Sequence, residues 1–217
     1  MKYRKNVLII DKFYDDPDSV VKNIIDGGFE LGYSIGYNNR KSGSDRWLIS
    51  NKKYKDEFIR IRFEEILNKQ IDKLCWDSDN INQHGRFICK LSSTGIHFHN
   101  HDNISRGYKD DNDVGYDGWT AIVFMNKKNP TEQGLWTVIP DDINNIKFRT
   151  NDINKYPDNL MLDKDYCKKD TFIGNVYNRC VLIRGNIFHS GTDGCGDIIE
   201  EGRIIQTFFF KLKGENK

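Results

Sequence analysis

The second part of the chain consists of short strand-like runs, and this pattern constrains the fold more than any other feature of the sequence. The runs are rich in β-branched and aromatic side chains, and most are bounded by Gly, Asn, Asp or Pro, as strands usually are. They cover residues 87–91, 120–125, 135–139, 180–184 and 204–212. A series of this kind predicts a β sandwich or a β barrel.

The first part of the chain predicts helices. Asp16 and Pro17 suit the N-cap and the first position of a helix, and Gly27 and Gly28 end that helix. A second helix is predicted from about residue 54 to residue 74, where apolar side chains recur at near-helical spacing. An opening strand is predicted before residue 11, and a loop with short extended pieces over residues 29–50. Together the two parts predict an α+β protein with helices on one side.

The length and composition of the chain predict one domain and give no reason to expect a nucleic acid or a membrane as partner. A chain of 217 residues without a Pro-, Gly- or Ser-rich linker suits a single well-buried domain. The net charge of +1 gives no global electrostatic reason to expect a nucleic acid or a membrane, and basic residues in the 36–55 segment are interpreted as a solvated loop. No apolar run approaches the roughly 18 residues of a membrane span. The absence of a signal peptide pattern and five scattered cysteines without a CxxC pair predict reduced thiols in the cytoplasm.

Four of the five histidines lie in two places that suggest a metal site. His97, His99 and His101 alternate along a predicted strand and would share one face, with Asp102 on the other. His189 follows an apolar strand and a glycine turn, which would bring one more imidazole to the same site. Three protein ligands on one side of the metal are what a non-haem iron oxygenase needs. The alternatives are ordinary core or surface histidines, or adventitious zinc binding.

Two further residues are interpreted from their surroundings. His84 has no partner nearby in the sequence and is predicted to be structural. Arg203 opens an apolar strand, where a basic side chain must find an anion or reach solvent. Because a guanidinium pairs two-pronged with a carboxylate, Arg203 is predicted to anchor a cosubstrate carboxylate. The alternative is an edge-strand arginine whose head lies in water.

Four segments of the chain resemble the 2-oxoglutarate- and iron(II)-dependent oxygenases, in particular a phage and bacterial branch related to prolyl hydroxylases. They are VLIIDKFYDDPDSV at 7–20, WTAIVFMN at 119–126, QGLW at 133–136, and the stretch 174–210. The last is the most specific, because it follows the branch pattern in order and nearly in spacing through both His189 and Arg203. Asn178 and Arg179 also match the pattern, without a role that the sequence assigns. Residues 29–86 and 141–172 have no match.

The resemblance implies a double-stranded β-helix (jelly-roll, cupin-like) core at about 83–213, with insertions at 103–118 and 141–172. Helical support at about 1–80 would pack on one face, all within a single domain 1–217. It also implies one Fe(II), 2-oxoglutarate as cosubstrate, molecular oxygen, and an unknown primary substrate that is hydroxylated as 2-oxoglutarate is oxidatively decarboxylated. Carried over by position, His189 would be the distal iron ligand, and Arg203, fourteen residues later, would hold the far carboxylate of 2-oxoglutarate.

The sequence departs from the family at the proximal ligands, which are a histidine and a carboxylate two positions later. Here His97 is followed two positions later by His99. Either the site has three histidines, or a β-bulge brings a carboxylate in. The predicted function is a 2-oxoglutarate-dependent dioxygenase, and the alternatives are a three-histidine metal dioxygenase without 2-oxoglutarate and a non-catalytic jelly-roll binding module. The predicted metal ligands are His97, His99 and His189, with His101 and Asp102 as alternates.

Overall fold

The computed structural model describes residues 7–31, 47–78, 83–92, 101, 114, 117–128, 130–140 and 167–214. The helices in these residues are α1 (Pro17–Gly27), α2 (Glu57–Leu67) and α3 (Lys73–Asp77). The strands are β1 (Val7–Ile10), β2 (Phe29–Leu31), β3 (Trp47–Ser50), β4 (Phe87–Lys90), β5 (Trp119–Phe124), β6 (Leu135–Pro140), β7 (Cys167–Ile173), β8 (Arg179–Arg184), β9 (His189–Gly191) and β10 (Arg203–Phe210). Among the described helices, none has the length and apolar character needed to cross a membrane.

The strands form two antiparallel sheets. The larger has the order β1-β8-β5-β10-β4-β3-β2, and the smaller has the order β7-β6-β9. Every residue of β5 and β10 is buried, as expected for central strands that are covered on both faces. Because side chains alternate along a strand, β10 sends Phe208 and Phe210 to one face of the larger sheet and Ile205 to the other.

The two faces of the larger sheet bury different partners. On one face, the side chains of β10 and β5 pack against the helices, through Ile24 of α1, Phe63 of α2 and Trp76 of α3. On the other face, Ile122, Phe124 and Ile205 pack against Leu135 and Ile173 of the smaller sheet. The described residues therefore contain more strand than helix, and their helices lie on one side, as the sequence predicts in outline.

Some element boundaries differ from the predictions. The helix predicted from about 54 to 74 is two helices, because α2 ends at Asn68 in the left-handed region (φ 49°) and Ile71 then forms a β-bridge with Leu212. Asp72 caps the short α3 that follows. Residues 167–173 form β7, so the segment predicted as an insertion over 141–172 ends in a strand. The residues of β7 before Phe172 are mostly polar, and β6 supplies the pairing that their pattern does not show.

The turn before β8 ties the start of the chain to the larger sheet. Asn178 has a left-handed backbone (φ 63°), and its side chain accepts a hydrogen bond from the Tyr14 N–H (2.7 Å) and donates one to the Tyr14 carbonyl (2.8 Å). Its own carbonyl accepts from the Phe13 N–H at 2.9 Å. Beside it, Arg179 forms a two-pronged ion pair with Asp11 (2.6 and 3.0 Å). Asn178 and Arg179 thus have structural roles outside the candidate site.

Replacing Asn178 with alanine is expected to lower the free energy of unfolding by about 2–4 kcal/mol. The variant loses two hydrogen bonds and places a Cβ-bearing residue without a local hydrogen bond in the left-handed region. Asn178→Gly loses the same hydrogen bonds, but glycine adopts the left-handed backbone readily. Its free energy of unfolding should therefore exceed that of Asn178→Ala by about 1 kcal/mol or more. Urea unfolding of both variants measures the difference, and equal midpoints would contradict the role given to φ.

Candidate functional site

His189 is a buried, neutral histidine at the start of β9. Its backbone pairs with Thr137 of β6, and the side chain is 3% exposed. Nδ1 lies 3.0 Å from the Ile187 carbonyl, which only accepts, so Nδ1 carries the proton and Nε2 is the basic nitrogen. Burial lowers the pKa of His189 to about 4. At neutral pH this imidazole is therefore in the form, with a hydrogen-bonded second nitrogen, that binds metals.

His101 is held at the same place by backbone hydrogen bonds. Its N–H donates to the Gly185 carbonyl (2.8 Å), and its carbonyl accepts from the Val114 N–H (3.0 Å). The Gly185 N–H donates in turn to the Gly118 carbonyl (2.9 Å). The glycine turn after β8, which the sequence analysis singled out, therefore fixes the His101 backbone.

The rings of His101 and His189 are neighbours. His101 is 5% exposed, and its ring meets the edge of Phe209 with 4.8 Å between the centroids. The two imidazole centroids are 5.2 Å apart, with 42° between the ring planes. Two imidazoles bound side by side to one metal through bonds of about 2.1 Å have centroids about 5 Å apart. The pair therefore has the spacing of two ligands of one metal ion.

The other predicted ligands cannot be placed beside this pair. His97, His99 and Asp102 lie outside the described residues. In the part of the chain that the structure describes, no group of three or more His, Cys, Asp or Glu side chains is placed to hold a metal. A third protein ligand would therefore have to come from another part of the chain.

His84 has the structural environment predicted for it. It is fully buried, and its Nδ1 accepts a hydrogen bond from the Phe209 N–H at 3.0 Å. Its Nε2 lies 3.1 Å from the Trp76 carbonyl, to which it must donate. The ring therefore links α3 to the last strand, with both nitrogens engaged in the core.

Arg203 is a buried cation whose fork has one unused end. It is 1% exposed on a central strand, which rules out the alternative of an edge-strand side chain with its head in water. Nε donates to the Gln133 carbonyl (2.9 Å) and Nη2 to the Gly134 carbonyl (3.0 Å), while Nη1 has no hydrogen-bond partner. No carboxylate of the described residues lies within ion-pair distance of this guanidinium. Burial lowers the pKa of Arg203 to about 10, so it stays charged at neutral pH.

Gly191 lies between the histidine pair and the arginine, and no sequence pattern above predicts a role for it. It lies two residues after His189, on the same face of β9, and pairs with Leu135. A Cβ on Gly191 would lie 2.8 Å from Nη1, 2.9 Å from Nη2 and 3.1 Å from Cζ of Arg203. The spacing of two from His189 is the one sequence signal that would have drawn attention to it. The carbonyls of Gln133 and Gly134, which hold Arg203, lie in the matched QGLW segment.

Comparisons with known proteins bear on the fold. No protein-family model and no curated protein matches the chain. A solved prolyl hydroxylase from Trichoplax adhaerens, in complex with a peptide fragment of the hypoxia inducible factor oxygen degradation domain, matches with TM-score 0.50 and 13% identity over 95% of this chain and 84% of that chain. The non-heme alpha ketoglutarate dependent epimerase SnoN from nogalamycin biosynthesis matches with TM-score 0.52 and 11% identity, over 100% of this chain and 89% of that chain.

A second structure of SnoN, in complex with Fe3+, alpha ketoglutarate and nogalamycin RO, matches with TM-score 0.51 and 10% identity over 96% of this chain and 80% of that chain. At such low identities the likeness concerns the fold, and what these proteins bind is a property of theirs. The resemblance in the sequence and the similarity in structure agree with each other. The chain has the fold of the 2-oxoglutarate/Fe(II) oxygenases, including the prolyl hydroxylases.

Proposed function

We propose that this chain is an Fe(II)- and 2-oxoglutarate-dependent oxygenase that hydroxylates a primary substrate, and that its two sheets form a jelly-roll core. The observation that carries the proposal is the juxtaposition of a buried histidine pair with a buried arginine. His189 and Gly191 are neighbours on one face of β9, and Gly191 lies against the Arg203 guanidinium. A candidate metal-binding pair and a candidate anion anchor therefore lie side by side.

The residues present fit an iron ion. We propose that His101 and His189 are two of its protein ligands, with the third from His97, His99 or Asp102. His101 takes this place, although it is only an alternate in the sequence prediction, because its ring lies 5.2 Å from that of His189. The Ile187 carbonyl holds the His189 ring with Nε2 as the basic nitrogen. The iron, when bound with 2-oxoglutarate, supplies the activation of oxygen.

The unused end of Arg203 fits the far carboxylate of 2-oxoglutarate. A guanidinium has five N–H donors, and backbone carbonyls take one on Nε and one on Nη2. The three that remain point from Nη1 and Nη2, so a carboxylate would dock end-on across these two nitrogens. His189 and Gly191 are two strand residues apart, about 7 Å, a separation that a five-carbon dicarboxylate can span.

Two alternative functions are less well supported. A three-histidine dioxygenase that does not use 2-oxoglutarate would leave the Arg203 charge buried without an anion from the described residues, which is costly. A non-catalytic binding module would give no reason for a buried histidine pair beside that charge. The structural neighbours carry a peptide fragment and nogalamycin RO, two very different molecules, so they favour no substrate class for this chain.

The test is a visible metal-to-ligand charge-transfer band. Protein prepared without oxygen is mixed with Fe(II) and then with 2-oxoglutarate, whose 2-oxo acid end chelates the metal. We expect a band with 2-oxoglutarate and none with glutarate, which has the same two carboxylates but no 2-oxo group. Iron binding without a band would favour the three-histidine dioxygenase, and absence of iron binding would favour the binding module.

A further inference from the structure

We propose that Gly191 is a positioning residue for the anion anchor: its missing side chain is what allows the Arg203 guanidinium to lie where it can receive a carboxylate. The proposal rests on the proposed function for the identity of the anion, 2-oxoglutarate. The exclusion between a side chain at position 191 and the guanidinium stands on the structure itself and can be tested separately.

The guanidinium is fixed in place by the turn that leads into β6, the strand that pairs with Gly191. Its two acceptors, the Gln133 and Gly134 carbonyls (2.9 and 3.0 Å), belong to the two residues directly before β6. β6 pairs with β9 through Leu135 and Gly191, and the Thr192 N–H donates to the Gly134 carbonyl at 3.1 Å. Arg203 therefore cannot move away from position 191 without losing its hydrogen bonds to Gln133 and Gly134.

A side chain at position 191 collides with that guanidinium. The three heavy atoms nearest to an added Cβ all belong to Arg203, and the two terminal nitrogens lie within 3.0 Å of it. The backbone of Gly191 is not in the left-handed region, so alanine would adopt it without strain. Glycine is required here for space and not for backbone freedom.

The collision falls on the atoms that would bind the carboxylate. Nη1, the nitrogen without a hydrogen-bond partner, is the atom nearest to the added Cβ. The histidine pair is held by other contacts, since the His189 ring bonds to the Ile187 carbonyl and the His101 backbone bonds to Gly185. A side chain at position 191 should therefore weaken cosubstrate binding and leave metal binding intact.

The first experiment separates these two effects in Gly191→Ala. In titrations of 2-oxoglutarate into the anaerobic Fe(II) protein, we expect the dissociation constant to rise about 10- to 100-fold. This is the effect of losing one hydrogen bond to a charged group. Its Fe(II) affinity without 2-oxoglutarate, measured by calorimetry, should equal that of the wild type. Ser190→Ala, on the opposite face of β9, is the matched control and should bind both as the wild type does.

The second experiment measures the effect of Gly191→Ala on the Tm of the metal-free protein, with and without Arg203. It tests the collision in the absence of any ligand. In the wild-type background, Gly191→Ala should lower the Tm by about 2–12 °C through overpacking. In an Arg203→Met background the guanidinium is gone, and the same change should leave the Tm equal or raise it, because alanine loses less chain entropy than glycine in a strand.

The outcomes distinguish the two proposals. If the wild type binds 2-oxoglutarate and Gly191→Ala binds it equally well, the positioning role of Gly191 is wrong and the proposed function survives. If the wild type binds no 2-oxoglutarate, the proposed function fails, and the Tm comparison still decides whether Gly191 positions Arg203. An equal loss of Tm in both backgrounds would overturn the exclusion, since the clash would then not be with the guanidinium.

Discussion

Arg203→Met is expected to raise the dissociation constant for 2-oxoglutarate at least about 30-fold, because loss of one partner of a buried, hydrogen-bonded charge pair costs about 2–5 kcal/mol. Methionine keeps an unbranched apolar stem in the space that Arg203 occupies at 1% exposure. It removes the guanidinium that the Gln133 and Gly134 carbonyls hold in place. Fe(II) binding should persist, since Arg203 does not hold either histidine.

The measurement is an anaerobic titration of 2-oxoglutarate into the Fe(II) protein, followed by the charge-transfer band. Arg62→Met on α2 is the control, because Arg62 donates to the Lys12 carbonyl far from the smaller sheet and is partly exposed. Saturating 2-oxoglutarate should raise the Tm of the wild type and of Arg62→Met, but not that of Arg203→Met. Unchanged affinity in Arg203→Met would mean that the cosubstrate carboxylate, if it binds, binds elsewhere.

The pH dependence of this anchor has a definite sign. Burial lowers the pKa of Arg203 to about 10, so the folded protein disfavours the charged form, and this destabilising contribution is relieved as the pH rises above 10. The affinity for a dianion should change in the opposite sense. It is retained at neutral pH and falls as Arg203 loses its proton near pH 10. A bound carboxylate would move that loss to higher pH by favouring the charged form.

The elements that the sequence predicted best are those whose side-chain pattern has one dominant cause. β5, β8 and β10 are central strands buried on both faces, and burial on both faces accounts for their continuous apolar runs. The start of α1 was equally readable, because Asp16 caps it through the Ser19 N–H and Pro17 follows. Local chemistry determined these features, and tertiary structure did not override it.

The features that were not predicted depend on partners distant in the sequence. β7 has a polar pattern and exists through pairing with β6, and α2 is separated from α3 where Ile71 bridges to Leu212. Gly191 matters because it lies against Arg203, a contact between the smaller sheet and the larger one. No periodicity in a single segment reports such contacts, so sequence patterns could not have found them.

The match to a family pattern also mixes two kinds of residue that only the structure separates. His189 and Arg203 lie in the matched stretch and at the candidate site. Asn178 and Arg179 lie in the same stretch, yet they bind Tyr14 and Asp11 and hold the start of the chain. A residue's place in a pattern therefore does not distinguish a role in chemistry from a role in folding.

Substitutions of the histidines and of Asp102 identify the metal ligands. Removing the hydrogen-bond partner of a metal ligand lowers metal affinity about 10- to 100-fold. His101→Ala and His189→Ala remove a ligand itself, so each should lower the Fe(II) affinity by more than that. The reason is the 5.2 Å separation of their rings, which suits two ligands of one ion. Of the three single variants His97→Ala, His99→Ala and Asp102→Ala, we expect one to lose affinity to the same degree, which would identify the third ligand.

Calorimetry with Fe(II) under anaerobic conditions measures all five affinities, and the Tm of each metal-free variant shows whether it is folded. The series decides between two arrangements that the sequence leaves open. If His101→Ala binds Fe(II) as tightly as the wild type, while His97→Ala and His99→Ala both lose it, the ligands are His97, His99 and His189. The contacts of His101 with His189 and with Phe209 would then be packing contacts only.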